Sequence, residues 1–203
     1  MRRRRKSPNN SSSPLAETLA REDDAALFIV AASSRLARTR AERLVVLGVE
    51  TLRGDVSGTD QLFVDENRQP DGRLHVWSVR DSPTLANYWQ RIRPGDWMAF
   101  YQMGFITIVA RVKCTVESES VARGVWGPDE ANDLRRIVAF DEVWPIWATV
   151  WPHRELIGAR FLGFRRVAAD KQVAIKKAYG SVESFVRKAL VPHKRPPREH
   201  GGG

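Results

Sequence analysis

The alternation of apolar and polar residues predicts several strands with helices near both ends of the domain. Apolar runs at 26–32 (ALFIVAA) and 73–79 (RLHVWSV) have the length of buried strands. WMAFY (97–101) and FITIVARV (105–112) flank a short QMG turn and therefore predict a hairpin. Two further strands are predicted in RIVAFDEVWPI and ARFLGFRRV, residues 136–146 and 159–167.

Helical periodicity is clearest between the second strand and the hairpin. Ser82 can cap a helix, and Pro83 suits its first position. Apolar residues then follow the i, i+3, i+4, i+7 rule, at Leu85, Tyr88, Trp89 and Ile92. A second helix is predicted after a cap at Ser181, with an apolar face of Val182, Phe185, Val186, Ala189 and Leu190. The basic segment 33–48 is predicted to be helical in part.

The remaining segments predict connections and tails. Gly and Pro residues interrupt an acidic, irregular stretch at 48–73, in which QLFV (61–64) predicts a short strand. GVWGPDEANDL (124–134) is predicted to be a loop. Residues 1–14 and 192–203 lack the apolar residues of a core and are predicted to be disordered basic tails. One domain is then expected over 15–191.

Strands joined by hairpins, with helices near the beginning and at the end, predict the fold class. They favour an α+β domain around a strongly curved antiparallel sheet or small β-barrel. A chain of 203 residues fits one such domain with tails. We expect a pocket at the mouth of the barrel.

The net charge of +9 comes from the two ends of the chain. Residues 2–6 carry five basic groups and residues 187–203 carry five against Glu199, while 15–186 hold 23 basic and 23 acidic groups. Inside this neutral body, the basic segments 35–43 and 154–177 favour a polyanion-binding face, with an ordinary solvated surface as the alternative. The terminal charges fit either sequence-independent phosphate attraction or solubility alone.

No apolar run approaches the roughly 18 residues that cross a bilayer, so no membrane span is expected. The basic N-terminus lacks the apolar stretch of a secretory signal. The single Cys114 leaves no intramolecular disulfide to form. These features predict a cytoplasmic protein.

Residue types that carry catalysis are scattered. The four His residues show no zinc-ligand spacing, and Cys114 has no obvious base. The phosphate-binding patterns GxxxxGK[ST] and GxGxxG are absent. Asp141 and Glu142 are adjacent, so on a strand they face opposite sides and cannot share one metal. The sequence therefore predicts no enzyme, no cofactor and no metal site.

Tryptophan is the informative residue type, with seven Trp between positions 77 and 151. An indole supplies a flat apolar face and one N–H donor, which suit core packing or stacking on a planar ring. Trp89 on the helix stripe and Trp97 on a strand are predicted to be core residues. Trp77 at a strand end and Trp126 in a Gly-flanked loop are predicted to line an open pocket.

Polar residues accompany Trp77 along the chain. Ser78 and Arg80 follow it directly, and Asn87 lies in the helix that starts after Ser82. An Asn amide presents a donor and an acceptor that match a base edge, whereas a surface position on the helix is the alternative.

Residues 76–112 (VWSVRDSPTLANYWQRIRPGDWMAFYQMGFITIVARV) resemble the core of the EVE domain, in the PUA-like superfamily that also includes YTH readers. LFIVAASS stands for the first strand of that family, and Phe100-Tyr101 for its aromatic pair. Its second element and its turn correspond to Trp77, Val79, Arg80, Asn87 and RPGD. The resemblance covers residues 26–190. The chain looks like the form of this domain that is found with modification-dependent restriction enzymes. SSRLAR lacks the usual Pro, and the insert at 48–73 is atypical.

This resemblance implies a reader that flips a modified base into an aromatic-lined pocket. Extrusion costs a few kcal/mol, which stacking worth about 1 to 3 kcal/mol per base and phosphate contacts must offset. The residues predicted to contact the base are Trp77, Ser78, Asn87, Tyr101 and Trp126. Those predicted near phosphates are Ser34, Arg35, Arg38 and Arg80.

The expected ligand is methylated or hydroxymethylated DNA, favoured over RNA, and the expected partner is a separately encoded nuclease or NTPase subunit. Three alternatives stay open. They are an RNA-binding PUA-like domain, an enzyme acting on nucleic acid through an unrecognised site, and a protein-interaction module whose Trp are all core.

Overall fold

A computed structural model describes residues 25–52, 54, 56, 58–158 and 161–193. Its strands are β1 (Leu27–Ala31), β2 (Val76–Val79), β3 (Trp97–Gln102), β4 (Phe105–Glu117), β5 (Arg136–Thr149) and β6 (Phe164–Arg166). They form one curled sheet, a half-barrel, in the order β2, β5, β4, β3, β1, β6. The predicted tail at 1–14 and residues 194–203 of the other predicted tail lie outside the described residues.

Eight α-helices flank the sheet within the described part of the chain. They are α1 (Arg35–Arg40), α2 (Thr59–Asn67), α3 (Pro83–Trp89), α4 (Glu119–Trp126), α5 (Pro128–Ala131), α6 (Arg154–Ile157), α7 (Ala169–Tyr179) and α8 (Val182–Phe185). Wider π-type turns extend α1 over Ala41–Val46 and α8 over Val186–Leu190. In the segments with assigned structure, no helix has the length and apolar character needed to span a membrane.

The expected α+β class with a curved sheet is confirmed. The sheet is mixed rather than purely antiparallel, because β1 runs parallel to β3, with Leu27 opposite Trp97 and Ala31 opposite Tyr101. The other strand pairs are antiparallel. Parallel neighbours need a crossover connection, and here it contains α1, α2, β2 and α3.

Capping residues explain where the helices begin. Ser82 Oγ accepts from the Leu85 amide at 3.2 Å, and Ser181 Oγ accepts from the Ser184 amide at 3.0 Å, as the sequence predicts. The predicted apolar face of the last helix is buried at each of its five positions.

Two segments predicted to be irregular contain helices instead. The predicted strand QLFV (61–64) is wrong, because it lies inside α2, where Gln61 donates to the Asp65 carboxylate four residues later at 2.7 Å. The predicted loop at 124–134 is also wrong, because α4 and α5 occupy much of it. The cap of α4 is Ser118, whose hydroxyl accepts from the Val121 amide.

The strand predicted over 159–167 is shorter in the structure, where β6 covers only Phe164–Arg166 and residues 159 and 160 lie outside the described part.

The core lies on both faces of the sheet because strand residues alternate. Ile29 and Trp97 belong to one buried cluster, together with Phe185 of α8. Phe28 and Phe100 belong to the cluster on the other face, against which α1 and α3 pack. Trp97 has no exposed surface, so its predicted core position is confirmed. Trp89 is half-buried against the second cluster.

Asp96 connects three strands at the start of β3. One carboxylate oxygen accepts from the Ala26 amide and the other from the Arg93 amide, both at 2.7 Å. The Asp96 carbonyl accepts from the amide of Val112 in β4 at 2.8 Å. Burial raises the pKa of Asp96, although the two amide hydrogen bonds oppose this shift. The side chain therefore holds the beginning of β1 beside the beginning of β3.

We expect Asp96→Ala to lower the free energy of unfolding by about 2 to 4 kcal/mol at neutral pH, because two inward-facing amides lose their acceptor. Asp96→Asn should cost less, since its amide oxygen still accepts one of the two bonds. Urea unfolding followed by tryptophan fluorescence measures both. Equal stability of Asp96→Ala and the unsubstituted protein would show that the contact does not hold the strands.

Candidate nucleic-acid interface

The end of β1 positions the basic helix α1. Ala32 donates its amide to the Tyr101 carbonyl at 2.9 Å, which keeps the chain beside β3 as it leaves the sheet. Ser34 Oγ then accepts from the Ala37 amide at 3.1 Å and caps α1. Ala37 and Ala41 pack against the sheet, whereas the arginines at positions 35 and 38 are exposed. The sequence thus builds a helix with an apolar inner side and a basic outer side.

A groove of about 430 Å³ lies along one flank of α1, and we call it the Trp147 groove. Trp147 is 46% exposed, and its ring stacks on Phe105 with centroids 4.9 Å apart. Three arginines and one acid, Glu42, belong to the lining. Besides Trp147 and Glu42, the lining consists of Arg35, Arg38, Thr39, Arg43, Leu47, Gln102 and Thr107. The groove combines positive charge with an aromatic surface.

A smaller groove of about 220 Å³ lies along the other flank of α1, and we call it the Trp126 groove. It shares Thr39 and Arg43 with the Trp147 groove. Arg40 donates to both carboxylate oxygens of Glu130, at 2.5 and 2.6 Å, so its charge is compensated. Trp126 is half-buried at the end of α4. The basic helix therefore lies between two grooves that each contain a tryptophan.

The structure places three of the four residues predicted to lie near phosphates on α1 or at its cap, and the fourth elsewhere. Arg35 and Arg38 line the Trp147 groove, and Ser34 caps the helix that carries them. Arg80 is exposed directly after β2 and lines neither groove. Its neighbour Asp81 pairs with two arginines, at 3.0 and 2.7 Å.

Trp77 and Ser78 lie on opposite faces of β2. Trp77 is half-buried, and its ring meets Phe100 edge to face at 5.3 Å, in the cluster that also contains Ala37 of α1. Ser78 is only 7% exposed, and its hydroxyl donates to the Leu134 carbonyl at 2.5 Å. The Ser78 hydroxyl is therefore engaged with the main chain and faces away from Trp77.

Tyr101 and Asn87 are also separated from Trp77. The Tyr101 ring packs 4.6 Å from Phe161, against the cluster on the opposite face of the sheet. Asn87 is exposed on α3. The five predicted base-contacting residues therefore do not converge on one pocket, because strand alternation directs neighbours such as Trp77 and Ser78 to different faces.

The sequence reasoning missed Trp147 as a groove residue. The predicted strand stops at residue 146, whereas β5 continues to Thr149. Along this extension Ile146 and Ala148 are buried and Trp147 is exposed, which is the alternation of a half-buried strand. That period-2 pattern was the available signal.

Catalytic groups remain dispersed over the part of the chain that the structure describes. There, no three His, Cys, Asp or Glu side chains are arranged to hold a metal ion. The Cys114 thiol donates to Asn67 Oδ1 at 3.1 Å. Burial raises the pKa of Cys114, which favours the neutral thiol over the nucleophilic thiolate.

We expect Cys114 to react slowly with a disulfide reagent at pH 8, because a raised pKa leaves less thiolate at a given pH. The midpoint of its rate against pH should lie above about 8.5, the value of a free cysteine. The same chain in guanidinium chloride serves as the control and should titrate like free cysteine. A midpoint below that of the unfolded chain would instead indicate an activated thiol.

No family model matches the chain, and no curated protein matches it. Among solved structures, the chain is similar to the N-terminal domain of Thermococcus gammatolerans McrB bound to m5C DNA, with a TM-score of 0.55 and 16% sequence identity. The match covers 75% of this chain and 96% of that chain. At this identity the likeness concerns the fold alone. The chain therefore shares the α+β fold of that domain, built around a curved, mixed sheet.

Proposed function

We propose that this chain is a DNA-binding module that recognises a methylated or hydroxymethylated base in a restriction system. The observation that carries the proposal is a fold shared with a domain solved on m5C DNA, together with a basic helix set between two tryptophan-containing grooves. A separately encoded nuclease or NTPase subunit would then act on the recognised DNA. The EVE-like sequence pattern around Trp77 agrees with this assignment.

In this proposal the arginines bind phosphates and the aromatic rings contact the sugar or base. Arg35 and Arg38 are exposed and can neutralise backbone phosphates, which gives affinity without sequence information. Trp147 adds an apolar surface beside them for a sugar or an unstacked base. These contacts would help to offset the few kcal/mol that flipping a nucleotide costs.

Trp77 and Trp126 are two alternative stacking partners for the flipped base, because they pack against different core clusters. Both rings are half-buried, so part of each remains accessible. Trp77 packs in the cluster beneath α1, and Trp126 lines the groove on the outer flank of the same helix. A base entering beside α1 would therefore meet an indole before it met the closed core.

We expect a duplex with one methylated or hydroxymethylated base to bind at least about tenfold more tightly than the unmodified duplex, a difference of roughly 1.4 kcal/mol. Fluorescence anisotropy at one fixed salt concentration, with matched DNA and RNA oligonucleotides, measures this ratio. Arg35→Gln combined with Arg38→Gln should weaken both duplexes alike, because phosphate contacts do not distinguish bases. Equal affinity across the DNA panel, or much tighter RNA binding, would contradict the proposal.

Trp77→Leu should reduce the preference for the modified duplex, because it removes the stacking surface. Trp89→Leu is a matched control, since Trp89 is also half-buried against the same core cluster. Affinities for modified and plain duplexes, measured beside a urea unfolding curve for each variant, separate binding from stability. If the two variants lose the preference equally, Trp77 acts only through packing.

A further inference from the structure

A further basic groove lies at the β6 edge of the sheet, away from α1. It has a volume of about 590 Å³, and we call it the β6 groove. Its basic lining residues are Arg91, Arg165, Arg166, Lys171 and Lys176. None of its described lining residues is acidic. Such a concentration of like charge attracts an anion.

The fold places these cations on both sides of a strand edge. In the described sheet β6 pairs only with β1, with Ile29 opposite Arg165 and Phe28 opposite Arg166. Consecutive strand residues point to opposite faces, so the two arginines emerge on different sides of β6. Arg91 follows α3 on one side, and the lysines come from α7 on the other.

Two of these side chains are held in position by uncharged groups. The Arg165 guanidinium lies 5.0 Å from the centre of the Phe161 ring. Lys171 Nζ donates to the Glu155 carbonyl at 2.9 Å. Neither contact neutralises the charge, which remains available to a ligand.

Asp96 interacts electrostatically with Arg166. Its two carboxylate oxygens already accept from backbone amides, and its side chain is almost fully buried. Arg91 and Arg166 are both exposed. The outer part of the groove therefore faces solvent with positive charge.

We propose that the β6 groove binds the sugar-phosphate backbone of a nucleic-acid strand. Five cations spread along one groove suit consecutive phosphates of one strand better than a single anion. The inference rests on the proposed function only in taking nucleic acid as the polyanion.

The position of the groove also fits a duplex that reaches α1. The β6 groove lies beside the first residues of β1, and α1 follows its last residue. The four rises from the first to the last residue of β1 span about 13 Å at roughly 3.3 Å each. That is about four base-pair steps of a duplex at 3.4 Å each, so one DNA molecule is long enough to contact both regions.

The test combines Arg91→Gln with Arg166→Gln and measures binding of plain and modified duplexes across a potassium chloride series. The matched control is Arg123→Gln with Lys188→Gln, which removes the same charge from exposed positions outside the groove. We expect the groove variant to bind both duplexes at least about fivefold more weakly, with a salt slope smaller by about 2. The preference for the modified duplex should be unchanged.

A groove variant that behaves like its charge-matched control would overturn this proposal. So would polyglutamate that competes as well as DNA of equal charge, because the groove would then suit an acidic protein. If the double variant does not fold, Arg91→Gln alone should lower the salt slope by about 1.

The ratio of affinities for modified and plain duplexes tests the reader function separately. If the protein shows no preference for the modified duplex but the groove variant binds more weakly than its control, the reader function is wrong and the proposal for the β6 groove stands. If the preference is present but the groove variant binds like its control, the reader function stands and the proposal for the β6 groove is wrong.

Discussion

The buried carboxylate of Asp96 is the contact on which the arrangement of this domain depends. It accepts from the amides of Ala26 and Arg93, and so sets the beginning of β1 against the beginning of β3. With that start fixed, the parallel strands end together at Ala31 and Tyr101, and α1 begins at the shared edge. The other edge of β1 receives β6 and its arginines. One hydrogen-bonded carboxylate therefore positions both basic regions of the molecule relative to the same strand.

The elements that the sequence predicted well are those with a local signal. Ser82 and Pro83 mark the start of α3, and period-2 apolar patterns mark the β3–β4 hairpin. The parallel pairing of β1 with β3 has no local signal, because a short apolar run does not specify its neighbour. The strand prediction for QLFV is wrong because this segment lies in α2, where Val64 is the one buried residue of the four and Leu62 is exposed. Four residues are too few to show that helical pattern.

For the candidate sites, too, the sequence predicted what depends on neighbouring residues and missed what depends on long-range contacts. The charge run that contains Arg35 and Arg38 is contiguous in sequence, so the basic helix was predictable. The placement of Ser78 depended on which face of β2 it occupies, and its bond to the Leu134 carbonyl decided that. The β6 groove was harder still to predict from the sequence, because Arg91 belongs to a different part of the chain from Arg165 and Lys171. Its charges meet only after the sheet has formed.

In the proposed complex, DNA lies along α1, with a modified base beside Trp77 or Trp126. The most direct test is a nitrogen-15 NMR titration of the full chain with a duplex containing one 5-methylcytosine, in which seven indole N–H signals can be followed. We expect shifts at the amides of residues 33–43 and at the indoles of Trp77, Trp126 and Trp147, with Trp97 unchanged. Shifts that avoid α1 and all three of these indoles would contradict it.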